Sequence, residues 1–388
     1  MIYKKKNIKI KKPKINLAFF FENFGSWEGE KNYLVCLITA IDKYYDENYS
    51  IKIISSNKIL NELKKLKLKN IELINSLFFT EKNLLNYLRK FSSRLFKQYD
   101  PTLYFLIKKH DINIVSHYKP LNYCKTICWL PDFQHTNLPK NFDTKEITRR
   151  NILYDDIIKN SSLVLLSSQT SAIDLKRFSK KKVKFKILNF VPHINFKDLK
   201  IKRIGKYNLN NYLIIPNQFW KHKNHLILVK ALNRLKNKKF NLKLVLTGDS
   251  SSQKNKDVFN KFLNEIKSKK LENFFLYLGK VPYSTLVKLI YDSKALINPS
   301  FFEGWSTSVE EAKILHKKII LSKIKVHIEQ KPKYSYFFHP NNDLRLSNII
   351  YKIGREKKLK FSINHLKKNY EIERFKFAKN YFKIIKNI

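Results

Sequence analysis

Two acidic residues, Glu303 and Glu311, stand with seven residues between them in the segment Asn298-Pro299-Ser300-Phe301-Phe302-Glu303-Gly304-Trp305-Ser306-Thr307-Ser308-Val309-Glu310-Glu311-Ala312. The apolar run before it reads as a strand that ends at the Pro-containing loop; Gly304 permits close backbone approach, and a helix is expected from near Thr307. A loop at the carboxyl end of a parallel strand is where open α/β sheets take ligands, and a helix N-terminus favours phosphate. Thr307 and Glu310 form T-x-x-E, a capping box, which assigns Glu310 to the helix end. Glu303 precedes the helix, where capping does not account for it. A second cluster, Ile215-Pro216-Asn217-Gln218-Phe219-Trp220-Lys221-His222-Lys223-Asn224-His225, also follows a strand and opens a helix. Cations placed there suit a diphosphate whose negative charge builds as it departs. Lys and Arg total 78, so a lone lysine is solvated surface by default and the position of Lys223 carries the argument.

Both clusters need a frame of alternating strands and helices. Ile15 to Phe21 reads as a buried strand, followed by a helix from about Asn32 to Tyr44. Further strands are expected at Ile51 to Ile54, Ile112 to Ser116, Thr126 to Trp129 and Leu163 to Ser167, with helical stretches between several of them. The pattern weakens into a polar, Lys-rich connection from Phe190 to Asn211, and a second series begins. Its strands are Tyr212 to Ile215, Leu242 to Thr247, Phe274 to Leu278, Ala295 to Asn298 and Lys318 to Leu321. Leu228, Ala231, Leu232 and Leu235 mark one helix face, and Val258, Phe259, Phe262, Leu263 and Ile266 another. The alternation predicts two mainly parallel sheets covered by helices, with a basic helical tail after Asn364.

Composition narrows the class. At 388 residues the chain exceeds one ordinary domain, and 43% hydrophobic with 28% charged residues is the balance of a folded globule. No apolar run approaches the ~18 residues needed to span a bilayer, and no cleavable apolar segment follows the basic Lys4-Lys5-Lys6, so a cytoplasmic protein is expected. Cys36, Cys124 and Cys128 cannot form a disulfide framework or a zinc site and read as apolar filler. The seven glycines build neither G-x-G-x-x-G nor G-x-x-x-x-G-K-[ST], which excludes the usual dinucleotide fingerprint and the P-loop. No Asp-x-Asp occurs, so the carboxylate pair that holds a metal on a sugar diphosphate is missing and no metal or cofactor is expected. The net charge of +47 reads either as a compositional bias that leaves a solvated basic surface or as attraction to anionic partners, a membrane surface before nucleic acid, since the lysines are spread along the chain without the aromatic interleaving of a nucleic-acid module.

The Glu303 segment resembles the E-x7-E signature of the retaining family-4 (group 1) glycosyltransferases of the GT-B fold, commonly written E-G-F-G-x-P-x-x-E-A. The resemblance implies that Glu303 contacts the transferred sugar and Glu311 the donor ribose, with backbone after Gly304 and Trp305 facing sugar hydroxyls or phosphate. Trp305, Thr307 and Ser308 depart from the pattern and alter the sugar pocket more than the nucleotide site. The Lys223 segment is similar to the family's G-R-x-x-x-x-K-N loop, which binds the diphosphate. Lys223 and Asn224 match its K-N, and Gln218 stands at the Arg position, where Lys221 is a partial substitute. Val245 to Asp249 resembles the strand-end V-x-x-G-x, and Leu278-Gly279-Lys280-Val281-Pro282 resembles the L-G-x-V-x that reads the base, which brings in Val281. The match covers most of residues 212 to 330.

In the first half, Gly25 lies where the family's small-residue loop meets the donor phosphate. Trp129-Leu130-Pro131-Asp132-Phe133-Gln134-His135 stands where many relatives carry I-H-D. Aligning on Asp132 puts Pro131 at the His position, so His135 is the expected cleft imidazole and His117 the second candidate. The resemblance implies a GT-B enzyme with two Rossmann-like domains facing across a cleft: 1–205 on the acceptor side, 206–365 binding the nucleotide-sugar, and 366–388 as a helix returning to the first. It implies transfer of a hexose from an NDP-sugar to an acceptor hydroxyl with retention; a saccharide or lipid-linked acceptor, in surface polysaccharide or glycolipid synthesis at the inner face of the cell membrane, is what fits the basic charge. A nucleotide-sugar epimerase of the same fold and a non-catalytic basic membrane-surface protein stay open as alternatives.

Overall fold

The computed structural model describes residues 14–21, 28–95, 100–200, 209–238 and 241–388. Gly25 and the expected junction at 205/206 lie outside the described residues. The first sheet contains β1 (Ile15–Phe21), β2 (Tyr49–Ser55), β3 (Ile71–Asn75), β4 (Ile114–Ser116), β5 (Lys125–Leu130), β6 (Leu163–Leu166) and β7 (Phe185–Ile187), in the order β3-β2-β1-β4-β5-β6-β7. The second contains β8 (Tyr212–Pro216), β9 (Lys243–Thr247), β10 (Phe275–Tyr277), β11 (Ala295–Asn298), β12 (Lys318–Ser322) and β13 (Ser335–Phe338), in the order β10-β9-β8-β11-β12-β13. Every ladder is parallel.

Central strands are apolar nearly end to end because helices cover both faces. β1 from Leu17 to its end, most of β8 and all of β11 are buried. Three strands absent from the sequence expectation, β3, β7 and β13, are all sheet edges. Their half-exposed positions break the apolar run, and β7 has only three residues, Phe-Lys-Ile.

In each sheet the strand order reverses beside the first strand, at β1/β4 and at β8/β11. Connections there leave in opposite directions and open a crevice beyond the carboxyl ends of the strands. The loops after β4, β5, β8 and β11 carry His117, Asp132, Lys223 and Glu303, so sheet topology gathers residues far apart in sequence.

Chain crossings join the two halves. The helix Ile363–Ile385 begins in the second core with Leu366 and Tyr370 and ends in the first with Phe377, Tyr381 and Phe382. Each fully buried aromatic of this stripe contributes ~1.5–3 kcal/mol. On the far side, Glu329 reaches from the second domain to the N-terminus of the helix Gln169–Phe178. It accepts from the backbone of Gln169 at 2.6 Å and from the backbone and hydroxyl of Thr170, each at 3.0 Å. A carboxylate is favoured at that end of a helix dipole.

The capping box is corrected. The helix Thr307–Ile314 has Ser306 as its N-cap and no side-chain cap bond. Glu310 faces inward and is buried, and its carboxylate accepts from Gln330 at 2.8 Å and Lys313 at 2.9 Å. Buried on the inner face, it satisfies neighbouring side chains and not the helix end.

Candidate active-site cleft

A cleft of about 710 Å³ runs between the carboxyl ends of the two sheets and is lined from both domains. Its second-domain wall is built on Lys223 and Glu303. Lys223 ends a short 3-10 turn, Lys221–Lys223, after β8, and Glu303 follows β11. Lys223 Nζ donates to both carboxylate oxygens, at 2.7 and 2.8 Å. Glu303 also accepts from Ser300 Oγ at 2.7 Å and Asn298 Nδ2 at 3.2 Å. Burial pushes the carboxyl upward, and the Lys223 ammonium overrides it, holding Glu303 at about 2. The pair is a fixed dipole in a half-dry site, with one positive charge within reach of any anion entering the cleft.

Gln218, Gly304 and Trp305 line the same wall. At Gly304 a Cβ would lie 2.3 Å from the carbonyl oxygen of Pro131 and 2.7 Å from Asp132 Cβ, so the absence of a side chain lets the two domains meet. Trp305 packs against the first-domain core. Its indole N–H is buried without a protein partner among the described residues. Asn224, Glu311 and Val281 do not reach the cleft wall. Asn224 adopts the left-handed conformation (φ 55°), and its amide donates to the carbonyls of Pro299 at 3.1 Å and Pro340 at 2.8 Å, tying the Lys223 loop to the Glu303 loop. Glu311 is buried behind the wall, and burial raises its carboxyl to about 8. Val281 follows Gly279 (φ 70°), whose carbonyl accepts from the Gly248 amide and joins the loops after β9 and β10. Lys221 is exposed outside the wall.

His135 is placed differently from the sequence expectation. Its ring is in the core, perpendicular to Tyr154 at 4.9 Å and beside Phe133 and Phe178, and burial lowers its basicity. A single helical turn, Gln134–Asn137, explains the difference: it directs Gln134 to the cleft and its neighbour inward. The imidazoles on the cleft wall are His117 and His222. His117 Nδ1 lies 2.9 Å from the carbonyl of Lys119, and its ring meets Phe20 edge-on. His222, which sequence reasoning passed over, accepts at Nδ1 from Gln134 Nε2 at 2.6 Å across the domain boundary. Burial lowers it to about 3, so it is neutral there.

The rest of the first-domain wall is aromatic and basic. Tyr33 stacks on Trp129 at 4.0 Å, and Trp129 Nε1 donates to Ser167 Oγ at 2.9 Å. Arg149 and Arg150, also missed in sequence, line the cleft from the helix Thr144–Asn160 and share the carboxylate of Glu146. Their signal was only i,i+3 and i,i+4 spacing from Glu146, which reads as ordinary surface pairing.

Two parallel Rossmann-like sheets with a ligand-sized cleft at their facing carboxyl ends define a GT-B protein. Residues 196–369 match the family model of the glycosyl transferases group 1. Among solved structures, a glycosyltransferase from Rickettsia africae is 17% identical with a TM-score of 0.65, covering 96% of this chain and 98% of its own. HepE of Anabaena, solved with UDP and glucose, is 15% identical with a TM-score of 0.66 over 96% of this chain and 100% of its own. Sucrose-phosphate synthase of Thermosynechococcus elongatus is 12% identical with a TM-score of 0.63 over 96% and 99%. At these identities the likeness is one of fold. No curated protein sequence matches the chain.

Proposed function

We propose that this protein is a retaining hexosyltransferase that moves a sugar from an NDP-sugar to an acceptor hydroxyl. The observation that carries the reading is the Lys223–Glu303 pair, brought together at 2.7 Å from two loops at the β8/β11 crossing, inside the region that matches the family. On donor binding, Lys223 turns its charge toward the diphosphate and stabilises it as the glycosidic bond breaks. Glu303, released from part of its pairing, accepts from sugar hydroxyls. Glu311 holds the ribose once the cleft wall in front of its buried carboxyl opens. Gln218 and the backbone at Gly304 and Trp305 complete the phosphate and sugar contacts. The departing diphosphate takes the acceptor proton, and no metal is needed because Lys223 supplies the countercharge. The acceptor enters along the wall of Tyr33, His117 and Trp129, and is a saccharide or lipid-linked saccharide of a surface polysaccharide or glycolipid. The net charge of +47 favours work at the anionic inner face of a membrane.

Thermal unfolding with UDP, GDP, ADP and CDP tests the donor site, with UDP first because HepE was solved with UDP and glucose. A nucleotide at a hundred times its dissociation constant adds ~2.7 kcal/mol to the native state. One nucleotide raises the midpoint, and Lys223→Ala removes the rise. A flat response to all four rejects the donor assignment. Turnover that persists in EDTA supports the metal-free mechanism, and its loss there rejects it.

A further inference from the structure

On the helix Leu84–Leu95, Asn86 and Arg89 face inward, while Leu84, Tyr87, Leu88 and Phe91 face outward. Asn86 and Arg89 are buried beneath it. Arg89 donates from Nε to the carbonyl of Phe78 at 3.2 Å and lies 3.6 Å from Asp100. On the opposite face, Leu84, Tyr87, Leu88 and Phe91 are 71%, 60%, 54% and 63% exposed. Their i, i+3, i+4, i+7 spacing makes one continuous stripe, on the side where a surface helix ordinarily carries charge. Phe105, half exposed on the neighbouring helix Pro101–Lys109, extends it.

The stripe has a basic rim. Lys82, Lys90, Lys108 and Lys109 are exposed around it, and Lys109 Nζ sits 6.0 Å above the Phe105 ring. The nearby acid, Glu81, is paired with Lys58 at 3.4 Å. An apolar stripe ringed by lysines fits the boundary between acyl chains and anionic headgroups. A second copy of this chain fits poorly, since each carries +47 and would bring one lysine rim against another.

The patch also backs the active-site cleft. Arg89 lies 5.2 Å from the Phe79 ring centre, Phe79 packs on Phe20 at 6.0 Å, and Phe20 lines the cleft beside His117. We propose that the outer face of the 84–95 helix seats the protein on an anionic lipid surface, which holds the acceptor side of the cleft beside the bilayer. This deepens the membrane part of the function proposed above and is independent of whether sugar is transferred.

The test is co-sedimentation of the full chain with vesicles of phosphatidylcholine alone and with phosphatidylglycerol added, for the native protein and for Leu88→Gln/Phe91→Gln. The two side chains are exposed, so the thermal midpoint and its response to nucleotide should be unchanged, which separates this result from failure of the donor site. The expected result is binding to the phosphatidylglycerol vesicles that falls with salt and drops by about tenfold or more in the double variant. Equal binding by native and variant protein would move the contact elsewhere on the basic surface and overturn the assignment. No binding by the native protein would overturn it together with the membrane part of the function. A dimer in sedimentation that the variant dissociates would make the face a contact between copies and overturn it as well.

Discussion

The second-domain wall of the cleft is a closed set of hydrogen bonds, whereas the first-domain wall is a set of stacked rings. On the second, Lys223, Glu303, Ser300 and Asn298 fix one another through four contacts between 2.7 and 3.2 Å. On the first, Tyr33, Trp129, Phe20 and His117 pack by shape, with a few polar tips. Pre-oriented charge suits a reaction in which charge develops at one defined place, while aromatic faces accept a range of sugar or lipid surfaces. The second-domain wall is therefore the one where a single substitution should be most damaging, and the first-domain wall the one where effects should be graded.

The sharpest way to break the contrast is to remove either member of the pair. Lys223→Ala and Glu303→Ala should each lower turnover by ~10²–10³, the range for loss of one preorganised electrostatic group. Each leaves a buried charge without its partner, which costs about 3–5 kcal/mol. Chemical unfolding of both single variants and the double variant closes a cycle in which the double loses less than the sum. A purely additive cycle would deny the coupling. The Glu303 contribution has a defined sign with pH: its folded value of about 2 lies below the ordinary 4.5, so its stabilisation is present above 4.5 and is lost as pH falls toward 2.

A second variant attacks the meeting of the walls. Gly304→Ala places a methyl 2.3 Å from Pro131 O, against backbone that has no room to yield without parting the domains. Nucleotide binding, which the proposed function gives to the second domain, should persist while kcat falls by up to ~100-fold, the penalty for an ångström-scale misplacement of reacting groups. Glu329→Ala loosens the same closure from the other side with a smaller loss, because the helix end it caps can turn to water. Unchanged kcat in both would mean that the cleft works without this contact.

These residues also show what could be read in advance. The cleft placement of Glu303, Lys223 and Gly304 is legible because each lies in the loop after a strongly apolar strand, where topology leaves little freedom. The edge strands β3, β7 and β13 were not, since half-exposed edges lose the continuous apolar signal. Glu310 was misread because T-x-x-E describes a local bond, and the buried Gln330 and Lys313 partners come from tertiary packing. Asn224 matched its motif but sits in a left-handed turn whose role is to hold two loops together. Whether a side chain on a one-turn helix faces in or out, as at Gln134 and His135, depends on a rotation that no sequence spacing records.

Glu311 gives a smaller and signed effect. Burial holds its carboxyl at about 8 against an ordinary 4.5, so the folded protein keeps a proton there that the unfolded chain has lost. Between those two pH values each step upward destabilises the native state, and above about 8 the penalty is constant. Glu311→Gln mimics the protonated form and removes that slope. Its thermal midpoint should exceed the native one at pH 9 and converge with it near pH 4.5, while nucleotide binding weakens through loss of the ribose contact. Parallel stability curves would show that the carboxyl is ionised in the folded protein already at neutral pH.

The smallest effect is expected where the sequence pointed most directly at an imidazole. His135→Leu keeps a core side chain of fitting size among Phe133, Tyr154 and Phe178, and removes a ring whose nitrogens make no bond to protein among the described residues. Such a swap costs ~1.5 kcal/mol or less and should leave turnover within a few-fold of native. His117→Ala, by contrast, removes a ring from the cleft wall and opens space beside Phe20, so KM for the acceptor should rise while nucleotide binding is unchanged. The comparison isolates the imidazole that faces the cleft from the one that does not. If His135→Leu abolished turnover at an unchanged melting temperature, the inward orientation of that ring would not be the one in which the enzyme acts, and the first-domain wall would have to rearrange when donor and acceptor bind.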